Sequence, residues 1–328
     1  MKYANDTRPK GVQHKAAEVL VEALPWIKNI TGKTVVIKYG GSAMVDEQLR
    51  ADVMNDIVLL KLVGVNPVIV HGGGKAITEA MEFMQLPVEF KDGQRVTTPE
   101  AMDLVRTVLM GKVNLELVEA LNEHGNFAVG VSGADAGVIV AEQANSDLGR
   151  VGRITRINSP LLDDLVAGDY IPVVASVALG EDGGFYNVNA DMVAGHIAAA
   201  IGAHKVVFLT DVDGLYENFE NKDSLISNLT LFEAQYMVEN NIVSTGMIPK
   251  LKSCIHALDA GVFRAHIING ITPHSLLLEL LTSTGVGTTM HSTEESCAFD
   301  THPLGNFASK LLENRQHAAS TTPNIKNF

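Results

Sequence analysis

Lys38 stands at the end of a run of β-branched residues, Val35-Val36-Ile37, and the glycines Gly40 and Gly41 follow it. The pattern repeats at Pro67-Val68-Ile69-Val70, a short apolar strand that runs into His71 and the triplet Gly72, Gly73 and Gly74 before Lys75. A strand, a glycine turn and a helix leave unpaired backbone N–H groups facing an anion, with the helix dipole behind them. Two such turns in one domain point to a phosphorylated or carboxylate-bearing ligand, whereas a purely steric reading makes each glycine a strand end. Lys38 is long enough to reach a transferring phosphoryl oxygen, and its compact ammonium suits that role; taken alone it is a solvated strand-end lysine.

Other residues fit the same chemistry. Arg95, just past Asp92-Gly93, carries a planar fork that matches a carboxylate, against the plainer reading of a surface salt bridge. Asn187 and Asn189 alternate along one extended run and so face one way, and Asp191 opens the next helix, where an N-cap is the bland alternative. Asp211 and Asp213 follow the apolar run Val206-Val207-Phe208-Leu209, at the edge where an open α/β sheet presents its ligands; turn capping competes with that reading. Lys250 follows Thr245-Gly246-Met247-Ile248-Pro249 and opens a helix. No glycine-rich loop ends in Gly-Lys-Ser/Thr and no His-Arg-Asp loop occurs, so neither common ATP-binding class applies.

The elements that must hold these residues alternate between strand and helix. Strands are expected at Thr34 to Lys38, Asn66 to Val70, Ala128 to Val131, Tyr170 to Ser176, Lys205 to Thr210, Ala265 to Ile268 and Gly285 to Met290. Helices are expected at Glu47 to Val63, Ala76 to Met84, Glu100 to Gly111 and on through Val113 to His124. Others are expected at Met192 to Ile201, Leu231 to Asn240, Leu251 to Ala260 and His274 to Leu281. Val88 to Thr98 reads as a hairpin through Asp92-Gly93, and Val138 to Ala141 pairs with Gly152 to Ile157. Met44, Met54, Met81 and Met84 fall at helical positions and read as core. The pattern is an α/β fold, one αβα sandwich around a mostly parallel open sheet. Before it come a disordered lead, residues 1–15, and a helix in 16–30 broken by Pro25, with an apolar face for its own domain or for another subunit. After the domain, 31–290, comes a polar tail, 291–328.

Bulk composition narrows the partners. At 328 residues with 46% apolar residues, the chain has enough material for a sizeable core. A formal charge of -13 argues against nucleic acid and anionic membrane as partners, but not against a small anion held by a local lysine. Cys254 and Cys297 form no metal or redox spacing, the histidines lack metal-ligand spacing, and His71 reads as ordering its glycine loop. With no apolar leader and no membrane-length window, a cytoplasmic protein is expected.

Lys38-Tyr39-Gly40-Gly41, His71-Gly72-Gly73-Gly74-Lys75, Asp92 to Thr97, Asn187 to Asp191 and Thr245 to Lys250 together resemble the acetylglutamate kinases of the amino acid kinase family, over Ala16 to Met290. The resemblance implies transfer of the γ-phosphoryl group of ATP, with Mg²⁺ on its phosphates, to the side-chain carboxylate of N-acetyl-L-glutamate in arginine biosynthesis. It puts the acetylglutamate site in the N-terminal half and the nucleotide in the C-terminal half. Lys38 and Lys250 would stabilise the moving phosphoryl group, and Asp191 would orient the two lysines rather than bind metal. Gly72, Gly73, Gly74 and Arg95 would hold the acceptor, with one of Asn187 and Asn189, while Gly40, Gly41, Asp211 and Asp213 would serve the nucleotide side. Thr245 departs from the pattern, which often has Asp there. The resemblance further implies feedback by L-arginine at Lys205, Glu279 and Gly287, with His274 beside them, and a hexamer built as a trimer of dimers through the N-terminal helix. Two rival readings are a different acceptor, such as glutamate or aspartate, and a non-catalytic sensor on the same fold; the presence of both lysines weighs against the second.

Overall fold

Valine and isoleucine runs that bury both faces build the centre of the molecule, described by a computed structural model for residues 18–292 apart from Val45 and Asp92. The expected lead and nearly all of the expected tail lie outside the described residues. In chain order the strands are β1 (Thr34–Tyr39), β2 (Asn66–His71), β3 (Phe90–Lys91), β4 (Gln94–Arg95), β5 (Ala128–Ser132), β6 (Ile139–Gln143) and β7 (Gly152–Ile157). They continue as β8 (Ile171–Ala175), β9 (Val177–Gly180), β10 (Phe185–Asn187), β11 (Lys205–Thr210), β12 (Asn228–Thr230), β13 (Arg264–Asn269) and β14 (Thr288–His291). Eight of them form one sheet in the order β12-β14-β13-β11-β1-β2-β8-β5. Every pairing in it is parallel except β13 with β14.

Period-two alternation divides the sheet's side chains between two cores. Val35, Ile37, Ile69, Val207 and Ile268 pack on one face, while Val36, Val68, Val70, Phe208 and Ile267 pack on the other. Parallel strands read as unbroken apolar runs because both faces are covered. From β1 the sheet continues to β2 on one side and to β11 on the other, so a crevice opens between the loops that leave β1 and β11. This is the topological switch point where α/β sheets take their ligands. Lys38, opposite Val70 and Phe208, is the next-to-last residue of the central strand there.

Local signals fix the helix ends. Asp46 caps the Glu47–Leu62 helix by accepting from Leu49 N–H at 2.9 Å, and Gly64 at φ +90° turns the chain out of it. Thr98 caps Pro99–Val108 with Pro in its first turn, and Thr230 and Glu233 form a reciprocal capping box. At the N-terminal side, residues 18–22 are helical, Ala23 is a turn, and Pro25 sits in the first turn of the Leu24–Ile30 helix. Proline thus starts a second helix instead of bending one. Ile30 is buried and Trp26 and Ile27 lie on the core, while Val19, Leu20, Val21 and Leu24 point to solvent.

Three local expectations change. The hairpin before Pro99 pairs only two residues per strand, Phe90 with Arg95 and Lys91 with Gln94. Met84 is exposed, unlike Met54 and Met81, because its helix ends at Phe83 and Gln85 turns away at φ +57°. The long helical stretch after Pro99 is interrupted by a wide π turn, Leu109–Asn114, before it resumes as Leu115–Asn122. Among the described residues no helix is long and apolar enough to cross a membrane.

Candidate active site

Asp191 lies between the two lysines. Its Oδ1 is 3.1 Å from Lys38 Nζ and its Oδ2 is 3.0 Å from Lys250 Nζ. Lys38 arrives on β1, Asp191 on the first turn of Ala190–Ala200, and Lys250 on the first turn of Ile248–Asp259. The Asp191 side chain is only 7% exposed, so its charge depends on these two partners. Burial by itself would raise its carboxyl; the Lys38 and Lys250 ammoniums outweigh that and hold it below the usual carboxylate range. Gly40 makes room for the arrangement, since a Cβ there would meet Lys38 Nζ at 2.6 Å.

A cavity of about 230 Å³ opens beside this cluster, lined by Lys38, Gly72, Gly73, Gly74, Arg95, Asn187, Asn189 and Asp191. Arg95, on the second strand of the hairpin, is buried and not on a surface salt bridge. Its Nη2 donates to the Gly74 carbonyl at 2.8 Å and the Thr78 hydroxyl at 2.7 Å, and the guanidinium lies 4.7 Å from the Phe90 ring centroid. Burial among neutral partners lowers its pKa, and such a guanidinium facing a cavity is matched by an anionic ligand. Asn187 and Asn189 separate in role. Asn189 caps the Ala190–Ala200 helix, its Oδ1 accepting from Asp191 N–H at 2.9 Å and Met192 N–H at 3.2 Å. Asn187 donates to Thr97 Oγ1 at 3.3 Å.

Across the crevice, Gly41 adopts φ +74°, and a Cβ there would come 2.4 Å from Asp211 Oδ1. Gly41 and Asp211 line an adjoining cavity of about 960 Å³ that also touches Gly73, Gly74 and Lys75. Asp213 serves its own loop: it accepts from Asn269 Nδ2 at 2.8 Å and from the Tyr216 hydroxyl. Among the described residues no three His, Cys, Asp or Glu side chains converge as a metal ligand set.

A separate cavity of about 450 Å³ brings together Lys205, Glu279 and Gly287 with Arg264, His266 and Trp26. Glu279 is engaged from several sides: it accepts from His266 Nδ1 at 2.7 Å, Val286 N–H at 2.7 Å, Gly287 N–H at 3.1 Å and Thr289 Oγ1 at 2.9 Å. Burial pushes its carboxyl up, but the hydrogen bond and charge of His266 with the Val286 and Thr289 donors bring it down to about 2. Burial, with the Lys205 charge beside it, pushes the His266 imidazole below its ordinary range, while the Glu279 carboxylate pulls the other way. His274 is not part of this cavity. Its Nδ1 lies 2.7 Å from Asp56 Oδ1, a buried carboxyl raised to about 6 by desolvation.

Sequence reasoning missed Asn114, a fully buried asparagine inside the π turn that reaches the glycine loop through His71. A signal was present: the buried positions Val105, Leu109, Val113, Leu117 and Leu121 recur in strict fours. An unbroken α-helix would rotate that stripe by about 40° at each step, and a wide turn takes the rotation back.

With this geometry in place, comparison with known proteins is direct. Residues 33–269 match the model of the amino acid kinase family. The chain belongs to the amino acid kinase family. Within it, the chain is 51% identical over 274 residues to an acetylglutamate kinase from Caldanaerobacter subterraneus subsp. tengcongensis, covering 83% of this chain and 92% of that protein. It is 49% identical over 277 residues to the acetylglutamate kinase of Halothermothrix orenii, covering 83% and 96%. The fold is similar to that of N-acetylglutamate synthase from Neisseria gonorrhoeae, with TM-score 0.74 at 22% identity over 95% of this chain and 71% of that one. Carbamate kinase from Giardia lamblia is similar at TM-score 0.60 and 15% identity, over 80% of this chain and 99% of that one.

Proposed function

We infer that this chain transfers the γ-phosphoryl group of ATP to the side-chain carboxylate of N-acetyl-L-glutamate, giving N-acetyl-L-glutamyl 5-phosphate and ADP in arginine biosynthesis. The observation that carries this reading is Asp191 bridging Lys38 and Lys250 beside a cavity that Lys38, Asp191 and Arg95 all line. Phosphoryl transfer asks for positioning and charge neutralisation more than for acid–base chemistry. Lys38 and Lys250 place two positive charges where charge gathers on the moving group, and Asp191 keeps both ammoniums at fixed positions. Arg95 takes the α-carboxylate of the acceptor with its fork. Asn187 takes the acetylamido side, since the Asn189 carbonyl oxygen is occupied as a helix cap. The N–H groups of Gly40, Gly41 and Gly73 supply neutral donors to the phosphoryl oxygens and the reacting carboxylate. No general base is needed, because the acceptor carboxylate is already ionised at neutral pH.

Magnesium would enter on the nucleotide phosphates, because the Asp191 carboxylate is engaged by two ammoniums. The acetylglutamate site falls in the N-terminal half and the nucleotide in the C-terminal half, along Asp211 and Lys250. The cavity of Lys205, Glu279 and Gly287 is the proposed L-arginine site, with the Glu279 carboxylate for a guanidinium. The exposed Val19, Leu20, Val21 and Leu24 fit a helix that packs on another subunit, as in a trimer of dimers. A cytoplasmic location agrees with a reading that uses no disulfide.

The test is an ADP-release assay with N-acetyl-L-glutamate against glutamate, aspartate and uridylate, repeated with arginine. A rate that does not prefer N-acetyl-L-glutamate would sink the acceptor assignment. An unchanged rate at millimolar arginine would sink the feedback assignment alone.

A further inference from the structure

The π turn Leu109–Asn114 touches the Gly72–Gly74 loop in separate ways. Asn114 Nδ2 lies 2.8 Å from the Val173 carbonyl and 2.9 Å from His71 Nε2. A carbonyl can only accept, so the Val173 contact fixes which end of the Asn114 amide faces the ring. The amide nitrogen can only donate, so His71 Nε2 is an acceptor and the ring proton sits on Nδ1. That Nδ1–H then donates to the Gly72 carbonyl at 3.0 Å. The donor–acceptor chain therefore runs one way only, from the amide to the glycine loop. Gly73 lies against the same turn: a Cβ there would meet Leu109 Cδ2 at 2.7 Å and Val113 Cγ2 at 3.3 Å. Gly130 leaves the space that Asn114 occupies, since a Cβ on Gly130 would come 2.1 Å from Asn114 Oδ1.

We propose that Asn114 and His71 are positioning residues that lock the plane of the Gly72–Gly73 peptide, so that the Gly73 N–H faces the cleft as a fixed donor to anionic oxygen. In a planar trans peptide the C=O and N–H point in opposite directions. Tying the Gly72 oxygen to the buried ring therefore sends the Gly73 N–H the other way, to the side where Gly73 lines both cavities of the crevice. Among the described residues no protein backbone group accepts from it. A donor held in place before substrate arrives needs no reorganisation during transfer. The π turn is what brings Asn114 inward within a helix whose other residues continue the core stripe. The inference rests on reading this crevice as the phosphoryl-transfer site.

Asn114→Leu, which removes the donor at similar volume, is expected to lower kcat about 100-fold while leaving the KM for ATP within about twofold. Asn114→Asp keeps the shape and reverses the polarity. A neutral His71 must then hold its proton on Nε2 and turn a lone pair to the Gly72 carbonyl, while an imidazolium donates at both nitrogens. The kcat of Asn114→Asp should accordingly recover as pH falls, whereas that of Asn114→Leu stays low throughout. Nitrogen shifts of the His71 ring in the wild-type enzyme provide a readout that needs no variant, and they should show the Nδ1–H tautomer. A folded Asn114→Leu enzyme with wild-type kcat, an Asn114→Asp profile parallel to wild type, or an Nε2–H tautomer would each overturn the proposal. An inactive wild-type enzyme on N-acetyl-L-glutamate would instead overturn the reading of the site.

Discussion

Gly195 lies on the backbone of Ser253: a Cβ there would sit 2.6 Å from the Ser253 carbonyl oxygen and 3.1 Å from its Cα. Glycine is required at this crossing by space alone. The two helices that meet here carry Asp191, one turn before Gly195, and Lys250, one turn before Ser253. His196 and His256 stack across the same crossing with ring centroids 3.9 Å apart. The distance between Asp191 and Lys250 is therefore set by how closely these helices approach.

Gly195→Ala should push the helices apart, because the obstructing atoms are backbone. A stability loss of about 1–3 kcal/mol is expected from overpacking. Turnover should fall about tenfold as the contact between Asp191 and Lys250 lengthens. Thermal melts and ADP release on the same preparation measure both. A stable variant with unchanged kcat would show that the crossing and the lysine pair are uncoupled.

Asp191→Asn keeps the shape and removes the charge between two ammoniums. The lysines then repel each other, and their positions are no longer fixed. Turnover is expected to fall by about 10²–10³-fold, as for loss of a preorganised electrostatic group. Lys38→Met should cost a similar factor, and Lys38→Met combined with Asp191→Asn little more than either alone, because residues that act as a unit are not additive. Multiplying losses in that double variant would contradict a single lysine–carboxylate–lysine unit.

How far the sequence reaches depends on the range of the interaction. The central strands are legible because Val35–Ile37 and Val68–Val70 bury both faces, a demand that composition alone reveals. The glycine turns and Lys38 follow from the same stretches. That Lys250 meets Asp191 is a matter of sheet order and helix crossing, so residue spacing could not have supplied it, and the assignment came from family resemblance. Asn114 was hidden because a polar residue within a helix reads as solvent-facing unless the fourfold recurrence of its neighbours is noticed. His274 lies apart from the cavity of Lys205 and Glu279 for the opposite reason: it is near Glu279 in sequence, but at φ +57° its side chain pairs with Asp56 on another helix.

Arg95→Lys should act mainly on acceptor binding. Lysine keeps the charge but loses the fork, and with it the ability to hold Gly74 and Thr78 while facing a carboxylate. The apparent KM for N-acetyl-L-glutamate is expected to rise about 10–100-fold, the KM for ATP and kcat changing several-fold at most. A change confined to the ATP constant would remove Arg95 from the acceptor site.

His71 also predicts how stability depends on pH. Desolvation lowers its pKa from 6.5 to about 4, although the bond to the Gly72 carbonyl pulls the other way. The unfolded chain therefore binds more protons at this residue between about pH 4 and 6.5, so folding stability rises with pH across that window. The contribution is fully present above about pH 6.5 and falls away toward pH 4, by roughly 3 kcal/mol from this group. Other buried groups add slopes of their own, so the comparison to make is with His71→Gln, in which only the His71 contribution disappears. Urea unfolding of both proteins at half-unit steps from pH 7 to pH 4 should give a shallower fall for His71→Gln. Parallel curves would mean that His71 takes up its proton in the folded protein as readily as in the unfolded chain. A ring protonated at both nitrogens could not accept from Asn114, so parallel curves would mean that the chain of bonds to the glycine loop opens below about pH 6.5.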